Sequence, residues 1–271
     1  MYTQLIFKNI NSNQQEILSA LLSNFSCLGI EENDDELKAV FLSSDFDEVE
    51  IATTIAPFNF SFEKEIIAEQ NWNKTWEESF EPIKIENKVA VRAHFHPMVS
   101  DVEYEIVITP KMSFGTGHHA TTQLMLEKMY DLNFEQKKVL DFGSGTGVLA
   151  IFAEMLGASN IIALDNDTWC MENGKENIAQ NNCLKIEAML GSIDIVTDKK
   201  FDIILANINL NILKANAKIM FESLNENGEL LLSGLLISDK HEMIESLQNA
   251  GFSVFEPKEK ENWLSIYCKK S

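Results

Sequence analysis

Apolar positions recur along this chain in two rhythms, and the rhythms divide it. Leu5 and Phe7 share one face of a period-two pattern, and Ile17, Leu18, Leu21, Leu22 and Phe25 then follow at helical spacing. This predicts a short strand and a helix. A second strand is predicted over residues 38–42 and a second helix over 47–55. Residues 1–62 therefore read as a small α/β module, too small to hold a cofactor of its own and suited to recognition. Residues 63–79 are charged and predicted to form a helical connector. Trp72 and Trp76 stand at i and i+4 in it, so both face one way, the spacing for docking the connector onto a domain. Pro82 marks its end. From 80 to 271, short apolar runs alternate with amphipathic stretches. Strands are predicted over 88–92, 105–109, 138–142, 160–164, 185–190, 201–206, 229–233, 253–256 and 263–268. Helices fit between them, such as 238–250, opened by the capping Ser238 and closed by Gly251. Repeated βα units predict a mostly parallel sheet with helices on both faces, with the last two strands forming an antiparallel edge.

One of these strands carries chemistry. Val139 to Phe142 runs into Gly143-Ser144-Gly145-Thr146-Gly147, and a helix begins at Val148. Alternate glycines let the backbone approach a ligand, and a helix N-terminus aimed at the same place favours a polar or anionic group. The dinucleotide fingerprint G-x-G-x-x-G fails here, because its last position falls on Val148. The pattern present is D-x-G-x-G-x-G, with Asp141 ahead of the glycines. The next strand ends in Asp165, where a carboxylate can accept both ribose hydroxyls of an adenosine. The combination resembles the S-adenosylmethionine (SAM)-dependent methyltransferases of the Rossmann-like class.

Composition narrows the classes. The formal net charge of −20 argues against direct nucleic-acid recognition and would speed encounter with a basic protein. Acids crowd residues 31–50, where Glu31, Glu32, Asp34, Asp35, Glu36, Asp45, Asp47, Glu48 and Glu50 meet Lys38 alone, which suggests one acidic face of the N-terminal module. Cys27, Cys170, Cys183 and Cys268 form no C-x-x-C, no start segment reads as a signal peptide, and the longest apolar stretch, 230–237, is too short to span a bilayer. These features predict a cytoplasmic protein with reduced thiols and no membrane association.

Ligands in such sheets bind beyond the carboxyl ends of the strands. The strand over 201–206 ends in Asn207-Ile208-Asn209, where methyltransferases of nitrogen atoms carry an Asn or Asp that orients the target. The Pro-Pro-aromatic that would stack on a planar base is missing, so a flexible amine suits the site better. Upstream, Met112-Ser113-Phe114-Gly115-Thr116-Gly117-His118-His119-Ala120-Thr121-Thr122 reads equally as a backbone-amide nest for the cofactor's carboxylate and as an ordinary loop with a helix N-cap. His118 and His119 invite a base or metal reading, but neighbours project differently and no further ligand stands at metal spacing. His94 and His96 can share one face of a strand; without a third ligand they read as surface residues.

Taken in order, Trp72-x-x-x-Trp76, Phe114-Gly-Thr-Gly-His118-His119-x-Thr-Thr122, Asp141-x-Gly-x-Gly-x-Gly, Gly157-Ala158, Leu164-Asp165-x-Asp167, Glu176-Asn177, Ala206-Asn207-Ile208 and Ser233-Gly234 resemble the PrmA family, the methyltransferases of large-subunit ribosomal protein L11. The resemblance runs from about residue 70 to the C-terminus. It implies a class I methyltransferase domain over 80–271 and a ferredoxin-like module over 1–62 that captures the ribosomal protein through a flexible helical linker, 63–79. It implies SAM contacts from Thr122, Gly143, Asp165 and Asn207, to which the glycine pattern adds Gly145. The expected reaction is N-methylation of lysine side chains, of the N-terminal α-amine, or of both, with Asn207 catalytic: its oxygen would accept amine hydrogens and fix the lone pair, water taking the proton. Methylation of another protein's lysines, methylation of nucleic-acid bases, SAM binding without catalysis and nicotinamide redox chemistry are the alternatives weighed. The charge and the missing Pro-Pro-aromatic disfavour the base reading, and Val148 disfavours the last.

Overall fold

The computed structural model describes residues 2–22, 25–33, 35–67, 81–111, 115, 117–255 and 257–270. The chain divides into two compact units, Met1–Ser79 and Phe80–Ser271.

The first unit runs β1 (Tyr2–Lys8), α1 (Ser12–Leu22), β2 (Cys27–Glu32), β3 (Glu36–Leu42), α2 (Glu48–Ile55) and β4 (Glu63–Ile67). Its antiparallel sheet has the order β2-β3-β1-β4, the ferredoxin-like arrangement. Strand alternation turns Leu5, Phe7, Leu37, Ala39 and Phe41 to one side, where Leu18 and Leu22 of α1 and Ile51 and Ile55 of α2 close the core. Asp47 caps α2 by accepting the Glu50 N–H.

Two expectations change here. The connector was expected to be helical from residue 63, but Glu63–Ile67 form β4, pairing Ile6 with Glu63 and Tyr2 with Ile67. Glu63, Lys64, Glu65 and Ile66 are all exposed, so no apolar alternation marks the strand, and Glu63 meets Lys8 across it, Nζ to Oε2 at 2.7 Å. The rest of the connector, with Trp72 and Trp76, lies outside the described residues. The described acids of 31–50 also fall into two groups rather than one continuous patch. Seven residues of β3, roughly 20 Å of extended chain, separate those near the β2–β3 turn from those that open α2. Several are neutralised locally, Glu36 by Lys38 and Glu48 by Lys64.

The second unit holds two sheets. The larger contains β8 (Lys138–Phe142), β9 (Asn160–Asp165), β10 (Ile186–Leu190), β11 (Phe201–Asn207), β12 (Leu224–Leu236), β13 (Phe252–Val254), β14 (Lys258–Lys260) and β15 (Trp263–Lys270). Its order is β10-β9-β8-β11-β12-β15-β13, with β14 pairing β15. The strands from β10 to β12 are parallel, and β15 enters antiparallel between β12 and β13. The chain walks outward from β8 to β10 and then returns to place β11 on the other side of β8. That reversal is the switch point at which such sheets bind ligands.

Alternation again sorts the cores. Val139, Ile161, Ala163, Ile203 and Leu205 face α3 (Ala120–Tyr130) and α4 (Val148–Met155), with α5 (Thr168–Gln180) on the same side. Leu140, Phe142, Ile162, Leu164, Ile204 and Ala206 face α6 (Leu210–Ser223), and α7 (Lys240–Ala250) completes that layer. The strands expected over 88–92 and 105–109 are not in the large sheet. They are β6 (Val89–Ala93) and β7 (Tyr104–Ile108), which with β5 (Ile83–Ile85) form a small sheet whose Val89, Val91, Ile106 and Ile108 pack on the α3–α4 side. His94 and His96 lie in the turn after β6 rather than along one strand face, and His96 Nδ1 accepts the Ala93 N–H at 3.2 Å. At α7, Ser238 does not cap. A short 3-10 turn, Ile237–Asp239, precedes the helix, and the Asp239 carboxylate accepts the Leu236 N–H at 2.9 Å.

Candidate active site

The carboxyl ends of β8, β9, β11 and β12 lie in register, so Phe142, Leu164, Ala206 and Leu232 mark a single edge. Just beyond that edge stand the residues singled out in the sequence. Gly143, Gly145 and Gly147 all take positive φ, +77°, +53° and +79°. The Gly143 and Ser144 N–H groups bond to the Leu164 carbonyl at 2.8 and 3.1 Å, which folds the turn over the end of β9. A Cβ on Gly143 would overlap the Ile208 side chain. The close approach, as well as the left-handed backbone, therefore requires glycine at this position.

Asp165 ends β9 half-buried. Its Oδ2 accepts the Gly145 N–H at 2.8 Å and its Oδ1 the Asp167 N–H at 3.0 Å. Each oxygen keeps a further lone pair for a hydroxyl donor. Gly143 and Asp165 line a cavity of about 360 Å³ with Phe142, Asn166, Gly191, Ser192, Ile208 and the first turns of α6. That size falls within the range of small-molecule sites. Asp141, the acid ahead of the glycines, is fully buried, and its Oδ2 accepts the Ala150 N–H in the first turn of α4 at 3.1 Å. Burial raises its pKa from 3.8 to about 7, against the lowering effect of the Ala150 bond, with the nearby Asp165 charge adding to the rise.

Asn207 ends β11, 9% exposed, on the α3 side of the sheet. Its Nδ2 donates to Thr122 Oγ1 at 3.4 Å, while its Oδ1 is buried with no hydrogen-bond partner among the described residues. Such an orphan acceptor is costly unless something else donates to it. Asn207 lines a second cavity, about 220 Å³, with His119, Ile208, Asn209, Gly234 and Trp263. The two cavities share Ile208 as a common wall. Thr122 lines neither and reaches the site through Asn207. Gly145 does so through Asp165.

The segment over the glycine turn is anchored from two sides. Thr146 Oγ1 donates to the Gly115 carbonyl at 2.7 Å. Asn173 and Asn177 of α5 and its C-cap Asn181 recur every fourth residue, so their amides align on one face. Asn181 both donates to and accepts from the Val107 backbone, at 2.6 and 2.9 Å. Asn177 accepts the Thr109 N–H at 2.8 Å and Asn173 donates to the Thr109 carbonyl at 3.0 Å. Asn177 also donates to the Thr146 carbonyl at 2.9 Å, tying the glycine turn to the end of β7. Of the expected amide nest, residues 112–114 and 116 lie outside the described residues. His119 has a structural task here. It caps α3, with Nδ1 against Thr121 N at 3.4 Å and Thr121 Oγ1 at 2.8 Å. Among the described residues no group of three or more His, Cys, Asp or Glu is placed to hold a metal. No described helix is long and apolar enough to cross a membrane.

Trp263 and the asparagine ladder were missed by sequence reasoning. The i, i+4, i+8 spacing of the asparagines was a usable signal. Nothing beside Trp263 in the sequence announced its place in a cavity.

Strand order, glycine turn and edge carboxylate together define a SAM-dependent methyltransferase of the Rossmann-like class. The model of the ribosomal protein L11 methyltransferase (PrmA) family matches residues 28–271. A ribosomal protein L11 methyltransferase of Porphyromonas gingivalis is 37% identical over 258 residues, covering 93% of this chain and 89% of that one. Its counterpart in Phocaeicola vulgatus is 34% identical over 263 residues, 94% of each chain. Among solved structures, a ribosomal protein L11 methylase from Lactobacillus delbrueckii subsp. bulgaricus is 28% identical, with a TM-score of 0.65 over 70% of this chain and 99% of that chain. The chain belongs to the PrmA family, and its cofactor is SAM. The residues present fit that cofactor: a turn that a Cβ on Gly143 would obstruct, and a carboxylate with lone pairs to spare.

Proposed function

We propose that this protein methylates amines of ribosomal protein L11, on lysine side chains, the N-terminal α-amine, or both. The observation that carries this reading is the buried Asn207 Oδ1, without a partner among the described residues and beside a small cavity with no Asp, Glu, Lys or Arg in its lining. The relatives' names supply the protein, and the residues supply the chemistry.

Gly143, Gly145 and Asp165 would hold the cofactor's nucleoside end, and Asn207, backed by Thr122, would hold its other end. SAM supplies a methyl group already activated on a sulfonium. The amine must arrive neutral, which costs a lysine roughly 4–5 kcal/mol at pH 7 and an α-amine about 1 kcal/mol. A cavity walled by Ile208, Gly234 and Trp263 strips water from the ammonium and lowers that cost. Asn207 Oδ1 accepts an amine hydrogen and thereby aims the lone pair for in-line attack. Its amide is oriented in turn by the Nδ2 bond to Thr122. Water takes the proton released.

In this reading the first unit captures the ribosomal protein, and residues 68–79 connect it to the catalytic unit. The net charge of −20 favours a basic protein over nucleic acid as partner. Four cysteines without a disulfide support a cytoplasmic setting.

Incubation with labelled SAM and purified ribosomal proteins, followed by mass mapping, tests the reading. Label confined to amines of L11 is expected, and label elsewhere would redirect the assignment. Asn207→Ala is expected to lower kcat by about a hundredfold. Wild-type turnover in that variant would remove Asn207 from the mechanism.

A further inference from the structure

The second cavity sets an amide, Asn207, beside an aromatic ring, Trp263. It is lined by His119, Asn207, Ile208, Asn209, Gly234 and Trp263, with no Asp, Glu, Lys or Arg in the lining. The Trp263 ring is held edge to face by His119, centroids 4.5 Å apart at 69°. Its place at the cavity comes from an irregularity in the sheet. Leu232 pairs with Ile266 and Leu235 with Leu264, so Ser233 and Gly234 together face Ser265 as a β-bulge. Gly234 has φ +87°, and a Cβ there would overlap the Ile208 backbone. The bulge thus brings β12 against Ile208 and sets Trp263, paired with Leu236, at the cavity mouth.

Now consider the hydrogens of the acceptor. Each transfer forms an N–C bond from the nitrogen lone pair, breaks the C–S bond with its electrons returning to sulfur, and leaves an ammonium. That ammonium loses a proton to water before the next round. Every round replaces one N–H by a methyl group, so a dimethylated amine has no N–H left. Asn207 Oδ1 can orient the unmethylated and monomethylated amine, and nothing remains for it to accept from the dimethylated one. That species is apolar around nitrogen. It can be held only by surfaces such as an aromatic ring, which also attracts the cationic form.

We propose that Trp263, steadied by His119, is the specificity-determining residue for the number of methyl groups an amine receives, taking over from Asn207 as N–H groups are used up. The inference rests on the amine-acceptor reading above. Single-turnover transfer to L11 that is unmodified, monomethylated or dimethylated separates the steps by mass spectrometry. Calorimetric binding of S-adenosylhomocysteine checks the cofactor site independently. In Trp263→Leu the transfer to the dimethylated amine should fall at least about tenfold further than the first transfer, with S-adenosylhomocysteine affinity within about threefold of wild type. Trp263→Phe should restore the later steps toward wild type, and Asn207→Ala should invert the order, harming the first transfer most. Equal losses at all steps, an unchanged product profile, or a loss of S-adenosylhomocysteine affinity that parallels the loss of rate would overturn the proposal. No transfer to L11 by the wild type would sink the amine reading and this inference with it. Transfer by the wild type with unaltered profiles in the variants sinks the inference alone.

Discussion

Asp141 sits fully buried beneath the glycine turn with one oxygen on Ala150 N and the other without a partner among the described residues. Because burial lifts its pKa to about 7, the folded protein holds this proton more tightly than the unfolded chain does. The stabilisation is whole below about pH 4 and is lost as pH rises through 7, an effect on the order of 4 kcal/mol. Asp141→Asn preserves an acceptor for Ala150 and cannot ionise. Urea unfolding of the variant should depend on pH less steeply than that of the wild type between about pH 4 and 7, where the wild type loses this stabilisation before levelling off. Equal slopes in the two proteins would show that Asp141 does not titrate there. At this scale the sequence was readable wherever backbone geometry dictates the residue. Gly143 must be glycine, Asp165 must end its strand, and both stand where expected. Trp263 and His119 were opaque because they meet only through a bulge and a helix cap far apart in the chain.

Among the elements, α5 does the most that is unusual. Asn173, Asn177 and Asn181 give β7 the hydrogen bonds a neighbouring strand would have given it, and Asn177 extends the connection to Thr146. Asn177→Ala leaves the Thr109 N–H and the Thr146 carbonyl without this partner, at about 1–3 kcal/mol each. The expected outcome is a lower urea midpoint together with weaker SAM binding, measured by calorimetry. Weaker stability with unchanged SAM affinity would mean that the ladder braces the fold and not the glycine turn. The central strands were legible from their apolar runs, which are buried on both faces. The small sheet was not recognised as separate, since β6 and β7 carry the same alternating signal as strands of the main sheet and only tertiary packing tells them apart. In β4 the exposed Glu63, Lys64, Glu65 and Ile66 left no apolar alternation to read.

As a whole, the molecule comprises two units with their own hydrophobic cores, one drawn from residues 5–55 and the others from residues 85–268. Residues 80–271 expressed alone should unfold cooperatively and bind SAM within about threefold of the full chain, and the capture role proposed for the first unit predicts a fall in kcat/KM on L11 of about a hundredfold or more. Undiminished methylation by that fragment would deny the first unit a role in recognition. The asparagine ladder has a consequence at this scale as well. A strand edge left bare is a template on which another chain can add itself, and proteins that expose one are prone to aggregate. Side-chain amides screen the Val107–Thr109 edge here, and unlike a covering strand they appear only once α5 has docked. During synthesis, and in any variant that loosens α5, β7 is an open edge, so the yield of soluble protein should depend on these three asparagines more steeply than thermodynamic stability does.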